Sequence, residues 1–288
     1  MNPSILLFTA VAVQAEAPIL VTAAREAQPA AEAAASATVI DEATIEDLSL
    51  PAAADLLRLV PGVAVAQTGP RGTQTQLRIR GAEANHTLLF VDGIRFNDPA
   101  AGNEARFELL TADLLSRIEV VRGPQSALWG SEALGGVIAV ETPDPLRARG
   151  FAALGEQGSL DSRRWFGRHA AGSEAFGIAG AVGWQRSDGI DSFGGGGDRD
   201  GFDTLSASLK AIRRSGPLEL GAAGHWIEGT SEYDGLDPVT FRRADTLDET
   251  RNRIGAARGW AAWHGGGWGL RGGVSWLDSA NRNRLAGA

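Results

Sequence analysis

The stretch "RIEVVRGPQSALWGSEALGGVIAVET", Arg117–Thr142, decides how this chain folds. Two runs rich in β-branched residues, Ile118–Val121 and Val137–Val140, have the length and composition of strands. Gly123-Pro124 ends the first. Ser126–Trp129 has room for one helical turn, and Gly135-Gly136 launches the second strand. A unit so tightly punctuated is a compact α/β element.

Working outward, residues 38–146 read as one α+β piece. "TVIDEATIEDL" is a short strand followed by a capped helix start, and "PAAADLLRLVPGVAV" is helix, Pro-Gly stop and strand. "QLRIRG" alternates apolar and basic residues, and "TLLFVDGIRF" is strand, Asp-Gly turn and strand. Residues 16–37 are Ala-rich, too small-sided to bury much area, and read as a flexible leader. From residue 147 the texture becomes strands of about ten residues with a period of two. Phe176, Ile178, Val182 and Trp184 share one face. Leu218, Leu220, Ala222 and Trp226 share another, as do Trp268, Leu270, Val274 and Trp276. The opposite faces are small or polar, and Trp recurs near strand ends, the pattern of a membrane barrel with aromatic girdles; a soluble β-sandwich also alternates. At roughly 20 residues per strand and connection, residues 150–288 supply about seven strands, too few to close around a filled lumen, so the chain is expected to be the N-terminal part of a larger barrel.

Composition narrows the function classes. The net charge of −8 argues against nucleic acid, because no Lys and Arg excess exists to displace phosphate counterions; Lys210 is the only lysine. The lack of cysteine removes disulfides and thiolate metal sites and suits an oxidising compartment. Residues 1–15 have the form of a signal peptide, with an apolar run over Ile5–Val13 and small residues at Val13-Gln14-Ala15. No later apolar run reaches the ~18 residues of a spanning helix. His86, His169, His225 and His264 lack metal-ligand or triad spacing, and no GxSxG, P-loop or HExxH occurs, so neither an enzyme nor a catalytic cofactor is indicated.

"LRIRG" at Leu77–Gly81, "LLFVDGIRFND" at Leu88–Asp98 and the opening stretch resemble, in order and spacing, the plug domain of TonB-dependent outer-membrane receptors. Within that family "ILVTAAR", "NHTLLFVDGIR" and early strands with an Asp-rich loop are most similar to the cobalamin (vitamin B12) receptors. The resemblance implies an α+β plug domain followed by antiparallel transmembrane β-barrel strands in a Gram-negative outer membrane, the plug facing periplasm and lumen. It implies active transport of cobalamin, with TonB and its ExbB-ExbD motor and outer-membrane lipid as partners. A ferric-siderophore or haem receptor, taking a metal-chelate ligand, shares every motif except the acidic-loop pattern. A non-transporting surface-binding barrel or a truncated remnant is the alternative of another class.

Site residues follow from the same likeness. Ile19, Leu20, Val21 and Thr22 form a β-prone run able to add to a partner's sheet edge, and match the Ton box. Arg80 and Arg122 resemble arginines that pair with carboxylates between plug and wall. Ligand contacts are implied at Gln67, Thr68, Arg71, Gln74, Asn97, Asn103 and Arg106. The loops "SDGIDSFGGGGDRDGFDTL" and "SEYDGLDPVTFRRADTLDET" offer hard oxygen ligands suited to Ca²⁺. The matching positions are Asp191, Asp198, Asp200, Tyr233 through its carbonyl, Asp234, Asp245 and Asp248; solvated acidic loops are the plainer alternative.

Overall fold

A computed structural model of the chain describes residues 19–20, 28–29, 35–194, 197–237 and 239–285. The expected signal peptide, with Val21 and Thr22, lies outside them. Strands β1 (Ile19–Leu20) and β2 (Gln28–Pro29) pair antiparallel with each other. The leader is shorter than expected, because β3 (Ser36–Ile40) already takes part in a sheet from Ser36. Asp41 then caps α1 (Glu42–Leu48), its carboxylate accepting from the Thr44 amide at 2.9 Å. After α2 (Ala53–Leu57), β4 (Val63–Gln67) and β5 (Thr75–Ile79) form a hairpin.

The central sheet adds β6 (Thr87–Val91), β7 (Ile94–Arg95), β10 (Arg117–Arg122) and β11 (Gly136–Glu141), with the small hairpin β8 (Asn97–Asp98) and β9 (Glu104–Ala105) beside it. Its order is β3-β10-β11-β6-β7. The β10 and β11 strands are antiparallel, with α3 (Ser126–Trp129) in their connection as the sequence predicts, whereas β11 and β6 run parallel. Leu56, Leu57, Leu77, Ile79, Leu89, Phe96, Phe107, Ile118 and Val120 fill one apolar core between this sheet, α2 and the hairpins. Ala181, Ile227, Ile254 and Ala256, from the second body, close the same core.

Residues 150–284 form the second body, an open antiparallel sheet in sequence order: β12 (Gly150–Gln157), β13 (Arg163–Gly172), β14 (Phe176–Ile190), β15 (Asp200–Ser215), β16 (Leu218–Tyr233), β17 (Asp248–Gly265) and β18 (Trp268–Arg284). Seven strands match the expected number. The last five are longer than the expected ten residues, running from 15 to 18. The period of two continues past the apolar zone, so Trp184 and Trp226 stand inside their strands rather than at the ends.

The register explains those lengths. Trp184 lies across from Leu205 and through it from Glu228, and Trp226 sits two residues from Glu228 toward the short turns. Trp226 in turn lies across from Gly255 and Asp278, and Trp276 sits two residues below Asp278. A stagger of two residues per two strands, at ~3.4 Å per residue and ~4.8 Å between strands, is a tilt of about 35°. Tilts of that size close transmembrane barrels. Phe176, Leu218 and Trp268 repeat the stagger, each eight residues from the Trp on its own strand. The band so bounded is about 22 Å tall at that tilt, close to the ~25 Å apolar belt of outer-membrane barrels. Its outward residues Ile178, Val182, Leu205 and Leu209 are exposed, as lipid-facing side chains must be in an isolated chain.

Candidate functional site

The plug meets the inner face of the wall through polar groups as well as through the apolar contacts of Ala181, Ile227, Ile254 and Ala256. The Asp92-Gly93 turn between β6 and β7 has positive φ at both residues, 47° and 75°, which drives the turn out of the plug toward β15–β17. There Asp92 accepts from Lys210 Nζ at 2.7 Å and from the Thr142 hydroxyl at 2.7 Å, and His225 Nε2 approaches to 3.1 Å. Arg258 Nη1 donates to the Asp92 carbonyl at 2.8 Å. A Cβ on Gly93 would lie 1.7 Å from Arg258 Nη1, so a larger residue would displace the guanidinium from this contact as well as strain the backbone at φ 75°. Burial alone would push the Asp92 carboxyl up; the approach of His225 and the charge of Lys210 outweigh it and hold the group well below the ordinary carboxylate range.

A second buried seat joins Asp113 to Arg164, whose Nε lies 3.1 Å from both carboxylate oxygens, and to Gln185 Nε2 at 3.1 Å. Arg164 also donates to the Ser49 carbonyl at 2.8 Å. A third contact is exposed: Arg168 pairs with Glu42 at 2.9 Å and with Glu46, both on α1. In all three the plug brings the carboxylate and the wall brings the cation.

That polarity corrects the expectation for Arg80 and Arg122. Arg122 is spent inside the plug, donating to the Pro61 carbonyl at 2.7 Å and to the Ser36 hydroxyl at 2.9 Å. Arg80 is exposed beside Gly62 and Gly123. Neither forms an ion pair among the described residues, because both sit at strand ends that face the plug's own β3 and β4 connections. The residues that do form the seats carry weaker local signals. Lys210 and His225 fall on the small, polar face of their strands, and a lone lysine on such a face is the signal that could have found them.

The expected ligand residues divide in two. Gln67, Thr68 and Gln74 are exposed on the β4–β5 loop, and Arg71 is half-buried there, bound to Asp55 at 3.2 Å and Gln185 at 3.4 Å. Gly72, with φ of +88°, lets this loop touch the wall: Ser231 Oγ donates to the Arg71 carbonyl at 2.8 Å. Asn97 and Arg106, by contrast, are buried and committed to internal bonds. Asn97 donates to the carbonyls of Thr87 and Asn103 and accepts from the Leu89 amide. Arg106 holds Asp98 at 2.9 Å, Glu108, and Asn252 of the wall at 2.7 Å. Both correct the expectation of ligand contact, since neither has a donor or acceptor turned to solvent. Asn103 accepts from Arg95 at 2.7 Å and remains half-buried at the rim.

At the long-loop end, Asp198, Asp234 and Asp245 bring carboxylate oxygens within 4.8 Å of one another. Asp245 is pushed up to about 6, first by a hydrogen bond with Asp198 and then by the surrounding charge of Asp198, Asp234 and Asp191. Asp191 accepts from the Gly194 and Gly197 amides at 2.5 and 3.0 Å and shapes the first loop. Ser192 Oγ bridges Asp200 and Asp234, the latter at 3.0 Å, and leaves the buried Asp200 Oδ1 without a hydrogen-bond partner. Tyr233 and Asp248 face each other where β16 and β17 end, outside the trio. Crowded hard oxygens, one with its carboxyl raised by its neighbours, form a donor set that fits Ca²⁺.

Comparison with known proteins gives these two bodies a common setting. Residues 29–137 match the TonB-dependent Receptor Plug Domain family. The Vitamin B12 transporter BtuB of Vibrio vulnificus strain CMCP6 is 36% identical over 180 residues, covering 62% of this chain and 29% of that protein. The protein of the same name from strain YJ016 is 41% identical over 130 residues, 45% of this chain and 21% of its own length. This chain thus spans less than a third of either. Among solved structures, P. aeruginosa FpvA bound to a heterologous pyoverdine superposes with a TM-score of 0.77 at 18% identity, covering 94% of this chain and 37% of that one. The ferric yersiniabactin uptake receptor FyuA of Yersinia pestis gives 0.70 at 20% identity, over 88% and 42%. At such identities these two establish the fold alone.

Proposed function

Since the chain belongs to the TonB-dependent receptors, we propose that it provides the plug and first wall strands of an energised importer of cobalamin across the outer membrane. The observation that carries the cargo is the Asp198, Asp234 and Asp245 cluster on two wall loops, a feature the shared plug motifs do not require. Identity to proteins named vitamin B12 transporters supports it.

In this reading the long-loop end faces outward, as long loops do in such barrels. Gln67, Thr68 and Gln74 on the plug, with Arg71 behind them, meet the cargo. Asp198, Asp234 and Asp245 hold Ca²⁺, which neutralises their repulsion and fixes the two loops over the ligand, with Asp191 and Asp200 shaping the loop around it. Ile19–Thr22 offers a strand edge to TonB on the periplasmic side, where ExbB-ExbD supplies the pull. The plug then leaves its seats: the exposed Arg168 contact opens at little cost, while the Asp92 and Asp113 seats need force because each leaves a buried charge unpaired.

The test is uptake and binding by the intact receptor in cells. Cyanocobalamin should bind in a calcium-dependent manner and be taken up, and Leu20→Pro should abolish uptake while leaving binding intact. Binding of a ferric chelate in place of cobalamin would transfer the cargo to the siderophore class, whose receptors share the fold. Loss of both binding and uptake in Leu20→Pro would remove the TonB-binding role of that segment.

A further inference from the structure

Outside the wall, Arg163 and Arg186 lie directly across from each other on β13 and β14, both about half exposed. Like charges in facing positions destabilise a sheet unless something neutralises them. The carboxylates at hand do so incompletely. Asp161 accepts from Arg163 at 2.8 Å, but Asp188 stands 3.5 Å from Arg186, and Arg186 donates no side-chain hydrogen bond among the described residues. Asp203, across from Arg186, turns both oxygens to the Trp184 indole at 3.1 and 3.2 Å.

The depth of the pair gives it meaning. The next residues down the same face are Trp165 and Trp184, whose rings stand 6.2 Å apart and mark the outer border of the apolar band. The guanidinium groups therefore sit one step, about 7 Å of strand, above that border, at the level of lipid headgroups. Elsewhere at that level the charges are matched: Arg253 pairs with Asp278 at 3.3 Å and covers the Trp226 ring at 5.6 Å. Two planar forks side by side above a paired indole shelf are suited to bidentate capture of phosphate.

We propose that Arg163 and Arg186 form a docking site on the outside of the wall for a phosphate of the outer-leaflet glycolipid. The proposal rests on the outer-membrane placement but not on the cargo. The glycolipid's acyl chains lie along Trp165, Val182 and Trp184, and its phosphate takes the donors that Asp188 and Asp203 leave free.

The intact receptor in neutral micelles would be titrated with bisphosphorylated lipid A, with the same lipid dephosphorylated, and with inorganic phosphate, bound lipid being counted by native mass spectrometry. Bisphosphorylated lipid A should bind R163A/R186A at least about tenfold more weakly than the parent, the loss expected for charge-assisted hydrogen bonds to one phosphate. R163K/R186K should fall between them, and the dephosphorylated lipid should not distinguish the three. Circular dichroism checks that each variant keeps its sheet. Equal lipid binding by parent and R163A/R186A, or inorganic phosphate binding as tightly as the lipid, would overturn the proposal. Cyanocobalamin uptake should be unchanged in R163A/R186A; a parent that takes up no cobalamin yet keeps the lipid discrimination would refute the cargo and leave this site standing.

Discussion

The plug and the wall use one alternation of apolar and polar residues in opposite senses. In the plug, Leu56, Phe96, Phe107 and Ile118 point inward to a dry core. In the wall, Val182, Leu209, Trp226 and Trp276 point outward, and Gln185, Ser206, Lys210, His225 and Asn252 line the inside. Polar seats therefore lie beside an apolar contact in which Ala181, Ile227, Ile254 and Ala256 of the wall join the plug core. Burying charge makes the seats specific while gaining little net stability, because desolvation offsets much of the Coulombic attraction. Seats built this way fix one docked orientation.

The largest effect should come from breaking the deepest seat. Asp92→Asn should loosen the plug by about 3–5 kcal/mol, the usual cost of leaving buried cations without their partner, measured as earlier release of the plug under denaturant. The depressed Asp92 pKa fixes the sign of its pH dependence. The seat contributes in full above the ordinary carboxylate range and is lost only as pH falls well below ~4.

Next comes the sharpest contrast between the two faces, at adjacent residues of β15. Leu209→Lys places a cation on the lipid side near mid-band and should cost about 2–4 kcal/mol of wall stability, whereas Lys210 is required one residue on. Refolding into vesicles would show a penalty for a lysine at 209 and for its removal at 210; equal tolerance at both would abolish the inside-out reading.

A smaller effect belongs to the loops. With its pKa raised to about 6, Asp245 favours the cation-free loops at low pH, and that contribution is lost as pH rises from ~4 through about 6. Calcium bound there, as proposed, would displace the same proton, so its affinity should fall about tenfold per pH unit below that point, and Asp245→Asn should flatten the profile in calorimetric titrations. The least is expected of the exposed clasp. Arg168→Gln should change plug stability by about 0–1 kcal/mol, and a larger loss would show that α1 is a seat in its own right.

Much of this was legible in the chain. The strands round Gly123-Pro124, the Asp92-Gly93 turn, the Asp41 cap and the faces of β14, β16 and β18 follow from signals within a few residues. The acidic trio was legible as a composition of loops. Asn97 and Arg106 were misplaced because polar residues at a predicted rim look alike whether they face solvent or are bonded inward, and only packing distinguishes the two. Arg80 and Arg122 were misplaced for a related reason: charge is visible in a sequence, its partner is not.

By itself, then, the sequence determined where the chain turns and which residues share a face, because backbone geometry imposes periods and turn preferences over short distances. Only the tertiary structure decided that Asp92 meets Lys210, that Asp113 meets Arg164, and that Trp184, Trp226 and Trp276 step by two residues every two strands. Those relations join residues far apart in the chain and depend on strand tilt and on how one body seats in the other, quantities that no local pattern encodes.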